Sequence, residues 1–75
     1  MKIAAIVGNN IRRYRKVKGI SQLNLGYLAE VDPSHINTIE HGRINVALLT
    51  LDRIAVALQI TVAKLFIEPR GRKCK

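Results

Sequence analysis

Cysteine is nearly absent from this chain: Cys74 stands alone, beside two Pro, no Trp, two Tyr and one Phe. A single cysteine closes no internal disulfide, so a reducing compartment is expected. Together with His35 and His41 it lacks the spacing of a zinc site. No phosphate-cradling glycine loop occurs, and Ser, His and Asp are present without the setting a nucleophile needs. An enzyme is therefore not expected, nor a cofactor or a small-molecule ligand. Long hydrophobic runs are missing too. MKIAAIVG imitates the start of a signal peptide, but its apolar run breaks at Gly8-Asn9-Asn10, too soon for a secretory core. Nothing approaches the roughly 18 apolar residues of a membrane span, so a soluble cytoplasmic protein with no membrane partner is predicted. Negative charge is scarce: 5 Asp plus Glu stand against 13 Lys plus Arg, for a net charge of +8. That excess predicts an anionic partner.

What is abundant is apolar. The 75 residues are 48% hydrophobic, which suits one domain near the lower size at which a core suffices without disulfides or metal. The chain is organised around residues 21–42, SQLNLGYLAEVDPSHINTIEHG. Ser21 is a good helix N-cap, and Leu25, Leu28 and Ala29 follow at helical spacing. After a polar break the pattern restarts with Asp32 as cap and Pro33 at the first helical position, where a missing N–H costs nothing. Ile36 and Ile39 form an inward pair, and Gly42 stands where a helix end takes a left-handed residue. Two short helices joined by a tight turn make a helix-turn-helix.

At about 100° per residue, Ile36, Ile39 and Glu40 fall on one side of the second helix. Ser34, Asn37, Thr38 and His41 fall on the other. That outward stripe contains no Lys, Arg, Asp or Glu. A merely solvated helix would usually carry charge there, whereas one that enters a groove benefits from short hydrogen-bonding groups.

The stretch resembles the helix-turn-helix of the Cro/phage-repressor superfamily, often called the Xre family. The resemblance runs from about Ile6 to Phe66. It is carried by Arg15, Ser21-Gln22, Leu25, Gly26, Val31, Ile36, Ile39-Glu40 and Gly42, then Leu51, Ile54, Ala55, Leu58 and Leu65-Phe66. Two positions depart from it. Gly26 stands where Ala is usual, and Glu30 where Gly is frequent, so Glu30 either adopts a left-handed conformation at roughly 1–2 kcal/mol or the turn differs in detail. The resemblance implies an all-α, five-helix, lambda-repressor-like DNA-binding domain. It also implies that Arg15 pairs with Glu40, a carboxylate that faces the core and needs a partner.

Around this motif, Ile3, Val7, Ile11 and Tyr14 predict a first amphipathic helix over about 4–18, stopped by Gly19-Ile20. Its other faces carry Arg12, Arg13, Arg15, Lys16 and Lys18. That cluster reads either as phosphate contacts or as a solvated face; a helix lying on an anionic membrane would leave the motif without a role. Between Gly19 and Ile67 only Arg43, Arg53 and Lys64 are basic, against four acidic residues, so the attraction to phosphate is expected from the flanks. A fourth helix is predicted from Val46 or Ala47 through Leu58, with Leu48, Leu51, Ile54, Ala55 and Leu58 inward. Thr61 caps a short fifth helix through about Phe66. Val62, Leu65, Phe66 and Ile67 close the core, or Leu65 and Phe66 supply the two-fold contact that the resemblance implies. Residues 1–67 are read as the domain and 68–75 as a basic disordered tail, either touching phosphate or solubilising.

The expected function is sequence-specific binding of double-stranded DNA by a bacterial or phage transcriptional regulator, a homodimer on a palindromic operator. Ser34, Asn37, Thr38 and His41 would read bases, with Asn37 pairing to adenine. Ser21, Gln22, Arg43, Asn45 and Lys16 would touch phosphates. The rival class is a protein-interaction module of the same fold, an antitoxin or an adaptor.

Overall fold

The capping and apolar signals resolve into five helices in the computed structural model, which describes residues 2–43 and 46–67: α1 (Lys2–Val17), α2 (Gln22–Ala29), α3 (Pro33–Glu40), α4 (Leu48–Leu58) and α5 (Val62–Leu65). The fold is all-α. Asn45 and the basic tail 68–75 with Cys74 lie outside the described residues. One core collects the inward faces: Val7 and Ile11 from α1, Leu25 and Ala29 from α2, Ile36 and Ile39 from α3, Leu51, Ile54, Ala55 and Leu58 from α4, and Leu65 from α5. α3 packs on α1 and α2, α4 backs α2, and α5 lies against α1 and α4. α3 is thus held from behind by α1 and α2, with its outer face free.

The helix ends follow local chemistry. Ile20 N–H donates to the Arg15 carbonyl (3.0 Å) as Gly19 turns the chain with φ +70°. The Ser21 hydroxyl accepts from Asn24 N–H (3.0 Å), and the Asp32 carboxylate accepts from Ser34 N–H (2.9 Å). Glu30 does adopt the left-handed conformation, at φ 59°, and lets Val31 N–H reach the Gly26 carbonyl (2.8 Å). Gln59 does the same at the end of α4, at φ 61°. The turn between α2 and α3 also explains the small residue at position 26: a β-carbon there would lie 2.5 Å from the Val31 carbonyl oxygen.

Three apolar assignments are corrected. Leu28, expected inward, is 60% exposed, because the buried arc of α2 runs from Leu25 and Ala29 through Gly26 toward α3 and leaves Leu28 outside it. Leu48, expected in the core, is 72% exposed. It stands at the first turn of α4, beyond the reach of the core, at the rim of a shallow apolar hollow shared with Ile3, Val7, Leu51 and Phe66. Leu65, expected either to close the core or to join Phe66 at a two-fold contact, is 0% exposed in its own chain, which leaves the core alone and no surface to offer a second copy; Phe66 keeps 38%.

Candidate nucleic-acid interface

The outer helix is fixed by an ion pair. Arg15 Nε donates to Glu40 Oε2 at 2.7 Å and Arg15 Nη2 to Glu40 Oε1 at 3.1 Å, while Nη1 donates to the Ile20 carbonyl at 2.9 Å. Both side chains are buried. The forked guanidinium matches the carboxylate, so each charge removed from water meets its opposite with directed hydrogen bonds. Glu40 accepts a third bond, from Gln22 Nε2 at 3.1 Å. The end of α3 is thereby tied to α1, to the loop after it and to the start of α2.

A second device sets the spacing. Gly8 lies where the backbones of α1 and α3 meet, and a β-carbon there would overlap the carbonyl oxygens of Ile39 and Glu40. Nothing in the sequence pattern signalled this, since Gly8 reads as part of a polar break. Asn10 was missed as well. It is fully buried, and its Nδ2 donates to the carbonyls of Leu65 and Ile67, each at 2.8 Å, which ties α1 to the end of α5. Its place three residues after Val7 and beside Ile11, on the apolar arc, was the available signal.

On the outward stripe Ser34, Asn37 and His41 are exposed and Thr38 is half-buried. Each is already engaged on one side. The Ser34 hydroxyl donates to Asp32 Oδ1 (2.8 Å), and the Thr38 hydroxyl donates to the Ser34 carbonyl (3.0 Å). His41 Nδ1 lies 2.7 Å from the Asn37 carbonyl. A carbonyl only accepts, so that nitrogen carries the proton and Nε2 of the neutral ring is left as an acceptor. Asn37 Oδ1 accepts from Gln22 Nε2 at 3.1 Å. The Asp32 carboxyl is held below its usual value by the backbone N–H of Ser34, with smaller help from the Ser34 hydroxyl.

The flanks are basic. Arg12 and Lys16 from α1 share a polar notch with Gln22, Asn37 and His41, so cations and stripe border one recess. Lys16, Ser21 and Arg43 are exposed and Gln22 is half-buried. Ser21 uses its oxygen on Asn24 N–H and keeps its hydroxyl proton to give. The face can therefore offer hydrogen bonds of set polarity between positive edges, which is the chemistry of a groove lined by phosphates.

Comparison with known proteins gives the same direction. Residues 11–65 match the helix-turn-helix family. A hypothetical transcription factor from Neisseria meningitidis is 30% identical over 70 residues, covering 93% of this chain and 66% of that protein. The solved structure of the restriction-modification controller protein C.AhdI from Aeromonas hydrophila is similar with a TM-score of 0.84 and 33% identity, over 88% of this chain and 100% of that one. The biofilm master regulator SinR, solved in complex with DNA, is similar with a TM-score of 0.78 and 31% identity, over 81% of this chain and 98% of that one.

Proposed function

Because the chain belongs to the helix-turn-helix family of DNA-binding transcription regulators, we propose that it binds a specific palindromic site on double-stranded DNA as a homodimer, in the manner of a small controller protein. The observation that carries this is the stripe Ser34, Asn37, Thr38 and His41: uncharged, outward, locked in place by Arg15–Glu40 and bordered by Arg12 and Lys16, with exposed Arg43 two residues beyond His41 in the chain. Bases would be met by the stripe. Phosphates would be held by Lys16, Arg43, Ser21 and the free N–H groups at the start of α2, with Asn45 a further candidate. The Gln22 amide, expected there as well, has both protons engaged by Asn37 and Glu40. Residues 1–67 would form the binding unit, and the tail 68–75 would add sequence-independent attraction. A homodimer would set two such helices about 34 Å apart, one turn of DNA. Its surface would be the hollow around Ile3, Leu48 and Phe66, where large apolar side chains stand exposed together.

The test separates reading from holding. Asn37→Ala should relax preference at one base position per half-site by about 1–3 kcal/mol and leave the salt dependence of binding intact. Lys16→Ala should weaken all sequences alike and flatten the salt slope by about one phosphate contact per subunit. Selection from random duplex DNA, followed by titration at several salt concentrations, reads both. If Asn37→Ala and Thr38→Ala leave site preference untouched yet abolish binding to a protein partner, the helix reads protein.

A further inference from the structure

We propose that Gln22 fixes which way round the Asn37 carboxamide faces, so that Asn37 meets a base edge as a donor and selects guanine over adenine. This deepens the site-reading function proposed above and rests on it. The polarity follows along a chain of bonds. The Glu40 carboxylate, clasped by Arg15, can only accept, so the Gln22 atom facing it must be the nitrogen. The same Nε2 lies 3.1 Å from the Asn37 side chain, which must therefore turn its oxygen inward. Asn37 Nδ2, with no acceptor among the described residues, is left for an incoming partner.

The other members of the stripe give the opposite. Ser34 and Thr38 have donated their protons to Asp32 and to the helix backbone, and the neutral form of the His41 ring, with its proton on Nδ1, keeps an acceptor at Nε2. Asn37 is thus the donor of the stripe. In the major groove guanine offers two adjacent acceptors, N7 and O6, whereas adenine offers N7 beside the N6 amino donor. An asparagine free to present both its oxygen and its nitrogen suits adenine. One whose oxygen is held by Gln22 satisfies guanine and leaves the adenine amino group without a partner. Gln22 acts here as a positioning residue, through Asn37.

The experiment is selection from random duplex DNA with the full chain, with Asn37→Ala and with Gln22→Met, which keeps the length of the side chain and removes its donor. The position whose preference Asn37→Ala erases identifies the base read by Asn37. Guanine there in the native selection is expected, and Gln22→Met should lower guanine-over-adenine discrimination at that position by roughly tenfold, toward the low end of what a base-edge contact discriminates. Adenine there overturns the assignment, as does a Gln22→Met variant that weakens every sequence equally. A measurement independent of that variant's folding is the order of the Asn37 side-chain amide in the free native chain, by NMR relaxation. It should match the neighbouring backbone on the picosecond–nanosecond scale, and a freely rotating amide overturns the proposal. Should the native chain enrich no sequence while that amide is ordered, the site-reading function falls instead.

Discussion

Glu40 is a carboxylate in the core with three donors around it, two from Arg15 and one from Gln22. Truncating it leaves a buried guanidinium without a counter-charge. Glu40→Ala should therefore cost about 3 kcal/mol, while Lys16→Ala, on an exposed face, should cost under about 0.5 kcal/mol. Urea unfolding compares them, and equal midpoints would refute the stabilising role of the pair. Replacing both Arg15 and Glu40 by apolar residues of similar size should cost much less than Glu40→Ala alone, since the larger part of the loss is the orphaned charge. Arg13 is a poorer control than its exposure suggests. Its Nη2 donates to Asn10 Oδ1 at 3.1 Å and its guanidinium lies 5.2 Å from the Tyr14 ring centre.

At the scale of elements, α2 and α4 both end on a non-glycine residue in the left-handed region. Glu30→Gly should relieve that strain and stabilise by about 1 kcal/mol before the extra entropy of glycine is subtracted. A rise of a few degrees in Tm, read by calorimetry, is the expected result; a fall would mean that the Glu30 side chain contributes more than its backbone costs. The helices were legible from local signals, Ser21 and Asp32 as caps, Gly19 and Gly42 as stops, Ile36 and Ile39 at helical spacing, while α4 and α5 showed only in their apolar spacing, since neither Ala47 nor Thr61 makes a capping side-chain bond. Leu28 and Leu48 were misread because spacing tells which residues share a side, and only the neighbouring helix decides how wide the buried arc is. Asn10 was overlooked because a buried amide is justified by carbonyls 55 and 57 residues away. Similarly, the stripe of α3 could be read from periodicity, whereas the inward turn of Asn37 Oδ1 depends on Gln22 from another helix.

For the whole molecule, the monomer has already used Leu65 and left Phe66 half outside, beside Ile3 and Leu48. The two neighbours should therefore behave differently. Leu65→Glu places a charge in the core and should prevent folding. Phe66→Glu should give a folded chain that sediments as a monomer and binds its DNA site much more weakly. If the native chain is itself monomeric at tens of micromolar (roughly a Kd above that range), the homodimer reading fails; if Phe66→Glu still dimerises, the homodimer uses another face. The apolar side chains of α2 and α4 that remain exposed, Leu23, Tyr27, Leu28, Leu49 and Val56, would then be the next surface to test.

The backbone contact at Gly8 has a consequence for genetics. A screen for alleles that lose DNA binding would be expected to return substitutions of the reading stripe and of its basic borders. It should also return Gly8→Ala, a change of one methyl group on the far side of α3 from any nucleotide. That methyl would wedge α1 from the Ile39 and Glu40 carbonyls and tilt the reading helix as a unit. The allele should show near-normal helix content by circular dichroism with lost binding at every site, and partial recovery on cooling. A Gly8→Ala chain with native affinity would mean that the two backbones can part without moving the reading face.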